Sequence, residues 1–420
     1  MGAAGNRVNK KMPAGLMALM VCVMFFYIYQ CDFSFIGMPA ALHSSRLSAV
    51  IIIIWAIICS FFKPIVRIKS CGISGGAYKR IIGLFIFAFI YSLFLTFFQD
   101  GGEGEYIYLT FINFFIFSTL PTIALLQIFE RAEDFLYVLL WVGVIQTFCI
   151  WLCLLVPSFK LIVDLTFNKA LEFDAFRDSY AGGIGCITAP GFLRYATGLF
   201  ACLYFILSTG KIKYILLFIV FGITGAMVAR TGVLVFFISS LIALLYFLSS
   251  RRLSTIATTL FIAVILLLSI GLIIGKNASF FEDRFGRLNY LLETGANDAF
   301  FSKYFDASDT YIPPINGETI IGTGLLSGVT HTGQRINVDG GYIRVYAALG
   351  LPIAIFFYLF IFWNLYRVSV VQRNKNQRFS LLFLFILILL GEFKEFYILN
   401  QYIILVFFVV SCLFYQGKMK

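Results

Sequence analysis

Long uninterrupted apolar runs recur from one end of this chain to the other, and that recurrence constrains its fold more than any motif does. A bilayer crossing takes roughly 20 residues. On that scale there are about twelve runs: residues 13–29, 47–62, 81–98, 106–129, 135–157, 191–208, 214–229, 232–249, 253–274, 341–366, 379–391 and 397–415. The eleventh is short. Hydrophobic side chains make up 60% of the 420 residues and charged ones 13%, and the mean hydropathy is +0.93. A soluble domain carries about 25% charged residues, so there is too little polar surface here to coat a water-soluble body. The runs are continuous rather than alternating, which argues against a β-barrel. The Phe, Ile and Leu content excludes disorder, and no solenoid period is visible. The expected fold is all-α: a polytopic transmembrane helix bundle forming one integral membrane domain over residues 1–420.

The net charge of +11 is a topology signal, because its placement is one-sided. Arg7, Lys10 and Lys11 precede the first run, and Lys63, Arg67 and Lys69 follow the second. Lys211 and Lys213, Arg251 and Arg252, Arg373 and Lys375, then Lys418 and Lys420 continue the series at alternate connections. The intervening connections are acidic or balanced, for example Asp100, Glu103 and Glu105; the nominally acidic stretch 130–134 is the one exception on the basic side. Short cytoplasmic loops collect Lys and Arg, so both termini are expected in the cytoplasm, and an even number of spans agrees. No nucleic-acid partner is implied. The basic start followed by an apolar run resembles a signal peptide, but the run is long for one and reads as an uncleaved first span. Most of the nine cysteines fall inside runs, where Cys behaves as a small apolar residue, and no metal-type spacing occurs.

Two connections on the opposite side are too long to be simple turns: 158–190 and 275–340. Long loops in a compact architecture usually carry function. The second is rich in Phe and Tyr, which suits short helices packed on the membrane surface, so function is expected on the outer face. Cations cluster in and beside these loops. Arg177 and Arg194 flank Ala181-Gly-Gly-Ile-Gly185, Arg230 sits in Ala229-Arg-Thr-Gly232, Arg335 and Arg344 bracket Asp339, and Glu392, Lys394 and Glu395 interrupt an apolar run. Each has a structural reading: snorkelling for Arg194 and Arg344, a turn for Arg230, a local ion pair for Lys394, a solvated loop for Arg177. Their convergence on one side favours an anionic ligand at membrane depth, since an intramembrane charge normally faces the bundle interior or a wet cavity. Arginine grips phosphate through a planar fork of donors, and a lipid-linked diphosphate satisfies both charge and depth.

The sharpest local pattern is Gly317-Glu-Thr-Ile-Ile-Gly-Thr-Gly-Leu-Leu326, followed by Val338-Asp-Gly-Gly-Tyr-Ile-Arg344 and Gly350. Its glycines permit turns before a helix enters the membrane, and Asp339 stands where an N-cap belongs. These segments, with the number of runs and the late, large outer loop, resemble the O-antigen polymerase family of bacterial inner membranes. Ala229-Arg-Thr-Gly232 looks like that family's arginine–glycine turn. The related O-antigen ligases show a His-Asn pair at the corresponding helix entrance; here Asp339 stands there and His331 lies eight residues earlier, which favours polymerase over ligase. A lipid-linked oligosaccharide transporter is the other alternative, but no internal repeat supports it.

The resemblance implies glycosyl transfer between two undecaprenyl-diphosphate carriers at the periplasmic face, one bearing the growing glycan as donor and one bearing a repeat unit as acceptor. Arg194 and Arg230 are the expected clamp on the departing diphosphate, with Arg177, Arg335, Arg344 and Lys394 as further substrate-binding cations. Asp339 is the expected base toward the acceptor hydroxyl, with Glu318 as its alternative. No metal or other cofactor is implied. The implied partners are the lipid-linked donor and acceptor, membrane lipid, a chain-length regulator and a flippase.

Overall fold

The structure, a computed structural model, describes residues 11–29, 31, 43–62, 71–98, 103–167, 183–184, 189–228, 230–249, 313, 315–329, 335–336, 340–394, 396–399 and 402–416. These are mostly helical. The N-terminal half comprises α1 (Ala14–Ile28), α2 (Ser44–Phe62), α3 (Gly72–Phe98), the strand β1 (Glu103–Tyr106), α4 (Ile107–Ile128), α5 (Ala132–Leu155) and α6 (Pro157–Phe167). Then come α7 (Ala189–Thr209), α8 (Ile212–Val228) and α9 (Arg230–Ser249). After residues 250–312 follow α10 (Gly317–Ile321), β2 (Leu325–Val329), β3 (Arg335–Ile336), α11 (Gly341–Leu349), α12 (Leu351–Val370), α13 (Lys375–Lys394) and α14 (Ile403–Gln416).

Six of the described helices are long and apolar enough to cross a membrane, namely α2, α3, α4, α5, α12 and α13, and shorter apolar helices accompany them in α1, α7, α8, α9 and α14. Their outward faces carry large exposed apolar side chains such as Phe61, Phe97, Phe148, Phe237 and Trp363. Apolar helices with such outward faces suggest a membrane protein. The apolar helices α1 to α5 run in alternating directions, as do α7 to α9 and α12 to α14, and α7 is antiparallel to α5. The described connections therefore sort onto two ends: the turns 129–131, 210–211 and 371–374 at one, and β1, α6, α10 and the strands β2 and β3 at the other. Met12, whose N–H donates to Asp134 at the start of α5, and Gln416, which donates to Cys71 Sγ at the start of α3, both lie at the short-turn end. The described ends of the chain thus share a side of the bundle.

Two helices organise the interior. The last helix, α14, is buried from Ile403 to Phe414 on every face, as an all-round apolar helix must be; it packs on α3, α4, α5 and α13. The other, α7, packs on α5, α8, α9 and α13. It meets α5 at glycines: a Cβ on Gly198 would come within 2.8 Å of the Gly143 Cα. Lipid provides no hydrophobic drive between helices, so close backbone approach and interhelical hydrogen bonds have to supply the association. Thr147 and Tyr195 bond at 2.6 Å between α5 and α7, and Trp151 Nε1 donates to Thr224 Oγ1 at 2.9 Å between α5 and α8. A π-helical turn, Phe115–Thr119, widens α4 at mid-length. Such turns leave carbonyls poorly paired, and here Tyr27 of α1 and Tyr78 of α3 donate their hydroxyls to the Phe117 and Thr119 carbonyls.

Several sequence expectations are altered. The run 341–366 does not form one helix: Gly350, at φ +82°, separates α11 from α12. The short run 379–391 is the core of the 20-residue α13, because Glu392 is buried inside the fold instead of ending the helix. The loop 158–190 opens as α6, an 11-residue helix. In the described part of 275–340, the expected helical packing is replaced by one five-residue helix and two strands. They build a three-stranded antiparallel sheet in the order β1-β2-β3. Glu103 pairs with Val329, so the connection after α3 is stitched to the late segment.

Candidate functional site

The glycine-rich signature forms a cap on α11. The last carbonyls of a helix lack partners within it. Here the Thr323 N–H donates to the Ala347 carbonyl and the Gly324 N–H to the Ala348 carbonyl, each at 2.9 Å. Gly350 has to be glycine twice over: its positive φ disfavours a side chain, and a Cβ there would lie 2.3 Å from the Ile320 carbonyl oxygen. The Gly322-Thr-Gly324 turn therefore fixes where α11 stops, and with it the depth of α11 in the bundle.

At the opposite, N-terminal end of α11 the polar chemistry gathers. Tyr342 donates its hydroxyl to the Leu389 carbonyl of α13 at 3.1 Å, and its ring lies 4.7 Å from that of Tyr358 on α12. Tyr358 donates to Glu392 Oε1 at 2.6 Å. The other carboxylate oxygen, Glu392 Oε2, accepts the N–H groups of Tyr397 at 2.8 Å and Ile398 at 2.7 Å. Glu392 is wholly buried. Tyr397 in turn donates its hydroxyl to the Leu193 carbonyl at 2.9 Å, and Arg194 Nε donates to Tyr402 Oη at 3.2 Å with its guanidinium over the Tyr402 ring. A set of contacts thus runs from α12 through α13 and residues 396–399 to Leu193 of α7, and Tyr402 meets the adjacent, half-buried Arg194.

The thiol at this end stays protonated. Burial pushes the Cys31 thiol up to about 12, opposed by a hydrogen bond with Ser44 and by the Arg194 charge. Cys31, just past α1, is outside any disulfide and donates to the Tyr29 carbonyl at 2.9 Å. What this arrangement offers chemically is a half-buried guanidinium held by a neutral tyrosine hydroxyl that accepts from it.

The remaining sequence-derived candidates distribute as follows. Arg344 is half-buried, one turn into α11 beside Tyr342. Arg230 opens α9 at the same end of the bundle as Arg194, since α8 returns antiparallel from α7; Lys394 closes α13 there. Arg335 opens β3, where it pairs with Val329. Glu318 belongs to α10, whose Asn316–Thr319 capping box sets it against the C-terminal end of α11, away from the Arg344 end. Arg177 and Asp339 lie outside the described residues. Sequence reasoning misses Tyr358, Tyr397 and Tyr402 altogether, and takes Glu392 only as an ion-pair partner. Their signal is present all the same: a Tyr in an apolar run needs a hydrogen-bond partner when it is buried. Among the described residues no His, Cys, Asp and Glu side chains group as a metal site. No family model, curated protein or solved structure matches this chain.

Proposed function

We propose that this chain polymerises undecaprenyl-diphosphate-linked oligosaccharide repeat units into a surface polysaccharide, O-antigen or capsule, at the periplasmic face of a bacterial inner membrane. The observation that carries this reading is Arg194, a guanidinium held half-buried by Tyr402 at the end of the bundle that carries the strands. The reaction forms a bond between an acceptor sugar hydroxyl oxygen and the donor's anomeric carbon. The anomeric carbon–oxygen bond to the lipid diphosphate breaks, and the diphosphate departs with the electron pair. Negative charge accumulates on that leaving group, and cations preorganised where water is scarce stabilise it. Arg194 and Arg230 fill that role, with Arg344, Arg335, Arg177 and Lys394 binding the carriers. Asp339 or Glu318 takes the proton of the acceptor hydroxyl.

The test is reconstitution of the full chain in proteoliposomes with purified lipid-linked repeat unit. Formation of a ladder of polymers, lost in Arg194→Ala, supports the reading; no ladder, with repeat unit translocated instead, replaces it with a transporter. In cells, a deletion strain that caps its lipid A core with single repeat units indicates a lost polymerase, whereas accumulated full-length polymer on the carrier indicates a lost ligase.

A further inference from the structure

We propose that Glu392 is a positioning residue for Arg194, acting through Tyr397 and the Leu193 carbonyl; this rests on the diphosphate-clamp reading of Arg194 given above. Removing a carboxyl group from water is costly unless its oxygens are bonded. Glu392 is fully buried, and three donors meet it: the hydroxyl of Tyr358 and the N–H groups of Tyr397 and Ile398. Two of those donors belong to the turn that leaves α13, so the carboxyl group determines where that turn sits. The turn then presents Tyr397 to the Leu193 carbonyl, while Tyr402, at the start of α14, accepts from the neighbouring Arg194. Leu193 and Arg194 are consecutive on α7. Both contacts therefore land on the same point of that helix, and the one made by Tyr397 leads back to Glu392, so the carboxyl group fixes the backbone on which Arg194 stands.

Gly391 provides independent support. A Cβ at that position would lie 2.2 Å from Cδ1 of Tyr397, so the Tyr397 ring rests directly on the α13 backbone next to Glu392. The ring and the peptide groups of Tyr397 are seated by neighbouring residues on one helix turn. A carboxyl group that served only to end α13 would need its contacts to the turn's N–H groups, but not a tyrosine ring packed on the preceding glycine and bonded to α7. The role inferred is geometric, not charge-based. Glutamine retains an oxygen for the two N–H groups and an amide that faces the Tyr358 hydroxyl, which can accept as well as donate.

The experiment measures binding of farnesyl diphosphate to the full chain in nanodiscs, alongside the thermal unfolding midpoint of each variant. Arg194→Ala is expected to weaken binding by about tenfold or more, the loss of one charge-assisted contact. Glu392→Ala should produce a loss of the same order, and Glu392→Gln should restore most of it. The double variant Arg194→Ala with Glu392→Ala should bind no more weakly than Arg194→Ala alone, because residues acting through one contact are not additive. Losses that multiply in the double variant, or a Glu392→Ala protein that binds like wild type, overturn the positioning role while leaving the Arg194 clamp in place. Unchanged binding in Arg194→Ala instead removes the clamp itself. Should Glu392→Ala fail to fold, Tyr397→Phe deletes only the hydroxyl bonded to Leu193. It should weaken binding several-fold with little change in unfolding midpoint, and unaltered binding there overturns the proposal.

Discussion

Thr323 bonds Ala347 twice: its backbone N–H and its side-chain hydroxyl both donate to the same carbonyl oxygen at 2.9 Å. Residues 24 apart in sequence are thereby joined where α11 ends, and Gly350 lets the chain turn away into α12. The two sites fail differently. Gly350→Ala meets both a positive φ and the Ile320 carbonyl, and is expected to abolish accumulation of folded protein. Thr323→Val keeps the backbone bond and should cost about 1 kcal/mol, read as a modest drop in unfolding midpoint in detergent.

The packing of α5 on α7 separates a backbone contact from a hydrogen bond. Tyr195→Phe removes one interhelical bond to Thr147, worth about 0.6 kcal/mol in a membrane interior. Gly198→Ala places a methyl group against Gly143 and should cost more, about 1–3 kcal/mol as overpacking does. Unfolding titrations of the two variants in mixed micelles check the order.

Arg194→Lys is predicted to lose most polymer-forming activity although the charge is retained. Lysine lacks the Nε–H that meets Tyr402 Oη and the planar group that lies over its ring. Chain-length profiles of surface polysaccharide in a complemented deletion strain report the loss, and wild-type ladders would refute the geometric part of the clamp.

Cys31 should resist thiolate-directed alkylation at pH 8 in the folded protein and react once the chain is denatured. The cause is burial, which raises the thiol from 9.0 to about 12. The sign follows directly: the folded state holds this proton more tightly than the unfolded one. Its contribution to stability is complete below the ordinary thiol value and is lost as the pH climbs toward the raised one. Mass spectrometry of iodoacetamide-treated protein, native against denatured, measures it.

The two ends of the bundle yield a topology prediction. Reporters fused after Gly210 and after Gln416 should report one compartment, expected to be the cytoplasm, and a fusion after Val156 the other. A shared compartment for all three fusions would contradict the alternating helix directions.

Much of the frame is legible in the order of residues. An apolar run of bilayer length has one low-energy solution, a helix, so the runs at 47–62, 81–98 and 135–157 fall on α2, α3 and α5. The break at Gly350 is hidden, because a glycine inside an apolar run looks the same whether the helix continues or turns. Only the carbonyl of Ile320 approaching it shows the reason. Glu392 is hidden for a related cause: hydropathy counts a carboxylate as a helix end, and its three partners lie on a neighbouring helix and on the turn beyond.

By itself, then, the sequence determined that this chain forms apolar helices and that cations accumulate beside its longer connections, since both follow from local composition and the cost of polar groups in lipid. Which cation is held, and by what, was decided by tertiary structure alone. Arg194 is met by Tyr402, 208 residues away, and no local property of either segment specifies that encounter; it arises from the packing of α7 against α13 and α14.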